Sequence, residues 1–202
     1  MNRGIGFFML KRLLLLVVVL LSGCATMPPP KQVNDVCHIF KQYPDWYRAS
    51  KDVEHRWLVP VHVQMAIIHQ ESKFQSDARP PVQYFMGLVP RGRPTTALGY
   101  AQVLDGTWDL YRQHNGTIFS SRKNFKDGVD FIGWYANNAY HRAGISRSDA
   151  YHLYLAYHEG VTGYMNHTYL RKPWLIHVAH KVSAQAAMYQ AQLNRCHAYL
   201  SY

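Results

Sequence analysis

Glu71 is the residue of this chain whose type and setting best suit proton transfer. It closes the run Val61-His-Val-Gln-Met-Ala-Ile-Ile-His-Gln-Glu71-Ser72. Val61, Met65, Ile68 and Ser72 recur there at i, i+4, i+7 with Ala66 and Ile67 beside them, the period of a helix with a wide buried face. Pro60 supplies the fixed φ of a first helical position, so the helix is expected to start there. Glu71 then falls in the last turn, where the carbonyl end of the helix dipole disfavours negative charge. A carboxyl at that end, beside apolar side chains, has its pKa pushed upward. That is how a general acid that must hold a proton near neutral pH is made. Taken alone, the ordinary reading of such a residue is a solvated Glu at a helix end, so its companions in the sequence decide the matter.

Those companions are Glu71-Ser72-Lys73-Phe74, then Ala97-Leu98-Gly99-Tyr100-Ala101-Gln102-Val103, then Ala156-Tyr157-His158-Glu159-Gly160. In that order they resemble the catalytic domain of soluble lytic transglycosylases, relatives of goose-type lysozyme. That family carries Glu-Ser-x-Phe, Gly-Leu-Met-Gln and Ala-Tyr-Asn-x-Gly, and the resemblance runs from Pro60 to the end of the chain. It implies that Glu71 is the sole catalytic acid/base and that Ser72, Gly99, Tyr100, Gln102, Tyr157 and His158 meet the substrate. Gln102 is expected to line the cleft near Glu71, and Tyr157 to hold or orient its carboxyl. Tyr100 and Tyr157 are the aromatic rings chosen to stack on pyranose faces. The chain departs from the family where Tyr100 replaces Leu, Ala101 replaces Met and His158 replaces Asn. Glu159 is the one acid close by in sequence, but the resemblance needs no second carboxylate there. Ordinary glycosidases use two carboxylates, whereas the family uses one, with the N-acetyl group of the sugar supporting the oxocarbenium-like state.

The elements that must position these residues are helical. Asn34 is placed to cap a helix through Val36, Ile39 and Phe40 as far as Pro44, and Pro44-Asp45-Trp46 starts another that ends before Pro60. Asp105 or Thr107 caps a short helix that stops at Asn115-Gly116. Phe125 to Ala143 reads as a helix with Phe131, Trp134 and Tyr135 inward and Gly144 as its stop. Ser146-Arg147-Ser148-Asp149 resembles a capping box and leads a helix from Tyr151 to His158. Pro173 opens the longest helix, up to Cys196. Residues 75–98, with four prolines and Arg79, Arg91 and Arg93, fit no helix. A loop of that length in a compact domain is usually functional, and its arginines are expected to meet the acidic stem peptides of a cell wall. No alternating strand pattern emerges. The fold expected is a mainly α, lysozyme-like single domain over 35–202 with one long irregular loop.

The first residues belong to another class of signal. Arg3, Lys11 and Arg12 precede Leu13 to Leu21, nine residues without a polar group. That run is too short for a membrane span, which takes about 20 residues, and has the proportions of a signal-peptide core. Leu21-Ser22-Gly23-Cys24 follows and looks like a bacterial lipobox, which implies a leader over 1–23, a lipidated Cys24 and a Pro-rich linker over 24–34. An uncleaved hydrophobic anchor would also leave the domain outside the cytoplasm. Ala25 is not the Asp that retains lipoproteins at the inner membrane, so the periplasmic face of the outer membrane is the expected location. Cys37 and Cys196 lie near opposite ends of the mature domain, and in an oxidising compartment such a pair usually bridges.

The leader holds three of the 22 Lys and Arg residues and none of the 12 acids, leaving the mature chain at +7. A basic face is attracted to the carboxylate-rich peptides of cell-wall glycan. No clustered Lys/Arg helix or motif points to nucleic acid. His55, His62 and His69 recur every seven residues, about 10 Å apart along a helix, and cannot share one ion. Neither His-Glu-x-x-His nor Cys-x-x-Cys is present, so no metal and no cofactor is expected, and no motif names an envelope-assembly or secretion-system partner. The function implied is a lytic transglycosylase acting on peptidoglycan. A hydrolytic muramidase of the same fold is the nearest alternative, and an inactive glycan-binding lipoprotein a more distant one.

Overall fold

The computed structural model describes residues 27–200. The leader and Cys24 lie outside them. Among the described residues seven α-helices make the fold: α1 (Val36–Gln42), α2 (Pro44–Trp57), α3 (Val61–Ser72), α4 (Asp105–His114), α5 (Phe125–Ala143), α6 (Ala150–Met165) and α7 (Pro173–Leu200). A two-stranded antiparallel hairpin, β1 (Gln83–Phe85) and β2 (Val89–Gly92), and a 3-10 turn at Thr168–Arg171 complete it.

Helix α3 is the axis of the fold. Val61, Val63, Gln64, Met65, Ala66, Ile67, Ile68, His69 and Ser72 are all buried, so the helix is covered nearly all round rather than along one face, as a central helix must be. It packs on α2, α5, α6 and α7. Its polar members are accommodated without charge. The Gln64 amide donates to the carbonyls of Ser50 and Val59 at 3.1 and 2.6 Å. His69 is held neutral, its pKa lowered to about 4 by burial and then by the nearby Lys73 ammonium. Pro60 precedes the first residue of α3 in extended conformation as its N-cap.

Two aromatic clusters flank α3. Trp46 stacks on Phe125 with ring centres 4.0 Å apart, and Tyr100 meets both edge-on at 5.4 Å. On the other side Tyr111, Phe131, Tyr135 and Tyr157 pack edge to face. Asp130 on α5 joins the helices around this second cluster, accepting from Trp57 Nε1 at 2.8 Å and Tyr111 Oη at 2.6 Å. Helices α2 and α5 approach so closely that a Cβ at Gly133 would fall 2.5 Å from the Trp57 ring.

Helix α5 and its Gly144 stop lie where the sequence puts them. The capping residues shift by one or more positions elsewhere. Asp35, not Asn34, caps α1 by accepting from His38 N at 3.0 Å, and Asn34 instead gives its carbonyl to Gln192. Helix α4 starts at Asp105 behind Leu104, which offers no side-chain cap. Asp149 itself caps α6, accepting from His152 N at 3.1 Å, while the Ser146 hydroxyl bonds to Ser148. Helix α6 continues past His158 to Met165 across a kink at Gly160. The hairpin corrects the reading of 75–98 as wholly irregular. Its strands escape an alternation test because every residue in both is exposed, so no face is selected for apolarity.

Cys37 and Cys196 form a disulfide that joins α1 to α7 across 159 residues of sequence. Around it, Gln192 accepts from Val36 N at 2.9 Å and donates to Asn34 O at 2.9 Å. The Pro-rich stretch is laid against the domain, with Pro30 buried and Pro28 O accepting from Tyr43 Oη at 2.7 Å. Closing so long a loop stabilises by about 4–5 kcal/mol in the chain-entropy account. Replacing both cysteines by Ser is expected to lower unfolding free energy by about 2–5 kcal/mol in urea titration. An unchanged midpoint would show that the bridge carries no stability.

Candidate active site

Helix α3 stops abruptly after Glu71 and Ser72. Lys73 and Phe74 both take left-handed backbone conformations, at φ 51° and 62°, which cost energy in non-glycine residues and gather at functional sites. The buried Phe74 ring, 5.9 Å from both Trp46 and His69, holds the reversal in place. The turn leaves Glu71 half-buried at the end of an apolar helix. Burial lifts its carboxyl to about 7, against the opposing pulls of the Tyr154 hydroxyl and the Lys73 ammonium. The carboxyl is therefore partly protonated at neutral pH, as a general acid must be.

Helix α6 forms the wall facing this carboxyl. Tyr154 directs its hydroxyl to Glu71 and is itself approached by the Gln70 amide. Tyr157, one turn later, lies close enough to Glu71 for the carboxylate to disfavour its ionisation, although burial is the larger cause. Its hydroxyl is already committed, donating to Ala101 O at 2.5 Å. In this geometry the tyrosine hydroxyl that bonds to Glu71 is that of Tyr154, and Tyr157 braces the loop that carries Gln102. Tyr154 was missed in the sequence although a signal was present: it stands at i−3 from Tyr157, on the same face of one helix.

The third wall is the loop 97–103. Gly99 takes φ +80°, and a Cβ there would lie 1.9 Å from Arg122 O, so only glycine lets the backbone pass. Gly99 N donates to Ala78 O at 3.0 Å. Gln102, also left-handed at φ 47°, donates from Nε2 to Ala78 O at 2.8 Å and Gly99 O at 2.9 Å. These bonds pinch together the two ends of the 78–99 excursion. Tyr100 does not line a groove. It is 1% exposed, wedged against Trp46 and Phe125 with its hydroxyl toward Ser76, and cannot offer a face to a sugar. Ser72 is buried, and its hydroxyl donates back to Ile68 O at 3.3 Å. His158 is exposed, with Nδ1 3.1 Å from Glu159 and its ring edge-on to Trp174 at 5.0 Å.

Glu159 is unsuited to acid chemistry. Burial would raise its pKa, but bonds from Lys172, Thr168 and His158 outweigh that and hold the carboxyl at about 2. It remains ionised and clamps the kink of α6 to the 3-10 turn, through Lys172 Nζ at 2.6 Å and the Thr168 hydroxyl. The two carboxyls are thus pushed in opposite directions, and only Glu71 carries a proton to give near neutrality. Among the described residues no three His, Cys, Asp or Glu side chains converge as a metal-ligating group.

A helical domain whose central helix ends on one desolvated carboxyl, faced by a tyrosine-bearing helix and a Gly-x-x-Gln loop, has the layout of the lysozyme-like class. The chain belongs to the family described as the transglycosylase SLT domain, whose sequence model matches residues 12–196. These are lytic transglycosylase catalytic domains of the lysozyme-like superfamily, and peptidoglycan is the substrate of the family. No curated protein and no solved structure matches the chain.

The opposing influences on Glu71 give a signed expectation for Tyr154→Phe. Removing a hydroxyl that favours the carboxylate raises the Glu71 pKa further, so the alkaline limb of the pH–rate profile should move to higher pH while kcat at neutral pH falls by about tenfold. A profile that stays in place or moves toward acid would remove Tyr154 from the site.

Proposed function

We propose that the protein cleaves the β-1,4 bond between N-acetylmuramic acid and N-acetylglucosamine by lytic transglycosylation, with Glu71 as the only acid/base. The observation that carries this reading is a single carboxyl lifted to about 7 by burial, with Glu159, the acid of the Ala156–Gly160 motif, locked as an anion. Protonated Glu71 gives its proton to the glycosidic oxygen as the bond from C1 breaks. The muramyl ring takes on oxocarbenium character, supported by its own N-acetyl group. Glu71, now a carboxylate, removes the proton from the 6-hydroxyl of that ring, and O6 closes on C1 to leave a 1,6-anhydro end. The proton returns to Glu71, so the cycle consumes no water and needs no second carboxylate. Tyr157 acts by tying the loop 97–103 to α6, and Gln102 by tying the same loop to Ala78.

Glu71→Gln keeps the shape of the side chain and removes its transferable proton. Folding is expected to survive while cleavage of purified cell wall falls by the ~10²- to 10⁴-fold typical of a lost general acid. Mass spectrometry of wild-type products should show muropeptides one water lighter than hydrolysed ones. Reducing ends would make the enzyme a hydrolytic muramidase, and undiminished activity in Glu71→Gln would overturn the assignment of the site.

The reading extends to location. The apolar run Leu13 to Leu21 followed by Leu21-Ser22-Gly23-Cys24 supports a signal peptide cut before a lipidated Cys24, which would tether the domain to the periplasmic face of the outer membrane. Cys24→Ala should leave an unprocessed precursor in a membrane-fraction blot. Normal maturation and soluble release would contradict the lipoprotein reading.

A further inference from the structure

The excursion that Gly99 and Gln102 pinch closed has no evident task in the chemistry above, yet it is the most unusual surface of the molecule. Residues 78–104 contain Arg79, Arg91 and Arg93 and no acid. The hairpin turns over at Met86-Gly87, and Tyr84, Phe85, Met86, Leu88 and Val89 are all exposed, Met86 at 83% and Leu88 at 84%. Neither face of the ribbon is covered. A two-stranded hairpin standing alone is marginal in water, and a contiguous apolar tip of this kind marks a contact surface.

Met27, three residues after Cys24, lines a cavity of about 780 Å³ together with Ser76, which lies two residues before the root of the excursion. Arg48, Lys123 and Lys126 line the same cavity beside Asp45 and Asp52, with Arg48 paired to Asp45. The described chain therefore begins near the root of the excursion.

The geometry points to a second membrane contact: the hairpin tip inserts Phe85, Met86, Leu88 and Val89 into the interface of an anionic bilayer, with Arg79, Arg91 and Arg93 at the level of the phosphates. The inference rests on the lipoprotein reading in so far as that reading brings this face to a bilayer. Met86, Leu88 and Val89, at the turn of the hairpin, have no groups with which to meet sugar hydroxyls and match a bilayer better than glycan. Arginine carries its charge on a long apolar stem and pairs bidentately with phosphate. Arg91 already sits with its guanidinium 5.4 Å from the centre of the Phe85 ring, set back from the tip. A lipid on Cys24 fixes where the domain is tethered but not how it is turned, and the hairpin supplies the second contact. Held at two points, the domain would meet the wall in one orientation instead of swinging on its linker.

The test uses the full lipoprotein reconstituted in vesicles, with Leu88→Cys carrying an environment-sensitive fluorophore and Gln113→Cys, on exposed α4, as the control site. In vesicles of phosphatidylethanolamine with phosphatidylglycerol, the probe at 88 should shift to the blue and be quenched by lipid-borne quenchers, whereas the probe at 113 should not. Replacing Arg79, Arg91 and Arg93 together by Ser should weaken the quenching at 88 at least about threefold, and high salt should do the same. A probe at 88 that stays in water on vesicles but shifts on adding purified sacculi would overturn the proposal in favour of a glycan contact. A shift that depends on protein concentration without lipid would overturn it in favour of a second copy of the chain, and equal shifts at 88 and 113 would reduce it to unspecific adsorption. Cleavage of soluble wall fragments by the labelled proteins is read in parallel, so failure of the membrane contact is distinguishable from failure of the catalytic reading.

Discussion

The site depends on the removal of water from one carboxyl. Glu71 is carried on a helix with almost no exposed surface, and the energetic preference for a neutral carboxyl in that setting is what raises its pKa to about 7. The same effect has a cost in stability. Between the ordinary carboxyl pKa of 4.5 and about 7, the folded protein holds a proton that the unfolded chain has released. Stability is therefore full below that window and declines as pH rises through it, by up to about 3 kcal/mol for a shift of this size. The disulfide between α1 and α7 is of the right magnitude to offset such a cost.

Desolvation alone would give a carboxyl that is hard to use. The walls around Glu71 make it accessible to chemistry by fixing, through backbone, what lies beside it. Tyr154 supplies a hydroxyl to the carboxyl, and Tyr157 ties α6 to Ala101. Gln102 and Gly99 tie the same loop to Ala78. The acid/base chemistry is thus separated from the outer surface by one clamp. Everything between Ala78 and Gly99 can project outward as a hairpin without disturbing the position of Glu71, because both of its ends are bonded to each other at the clamp.

Much of this was legible in the residues themselves. Glu71 at a helix end, the α5 span with its glycine stop and the bridging of Cys37 to Cys196 follow from period, capping chemistry and compartment. Tyr100 was misplaced for a physical reason. It occupies a position where the resembled family has Leu, and an apolar slot accepts the body of a tyrosine ring as readily as an aliphatic chain, so the substitution signals core and not groove. The hairpin was illegible because strand patterning arises from having one wet and one dry face, and this ribbon has two wet ones. The capping errors at Asn34 and Thr107 reflect how weakly a short side chain discriminates between neighbouring positions when several candidates adjoin.

The central claim concerns the proton on Glu71, and it can be observed directly. The chain holds three glutamates, at 54, 71 and 159. Carbon-13 labelling of their carboxyls followed by NMR titration, with Glu71→Gln to assign the signal, reports the pKa without reference to activity. The account predicts that the signal lost in Glu71→Gln titrates at about 7. Titration of that signal near 4.5, the ordinary value for the side chain, would contradict it and leave Glu71 an ordinary solvated carboxylate at the end of a helix.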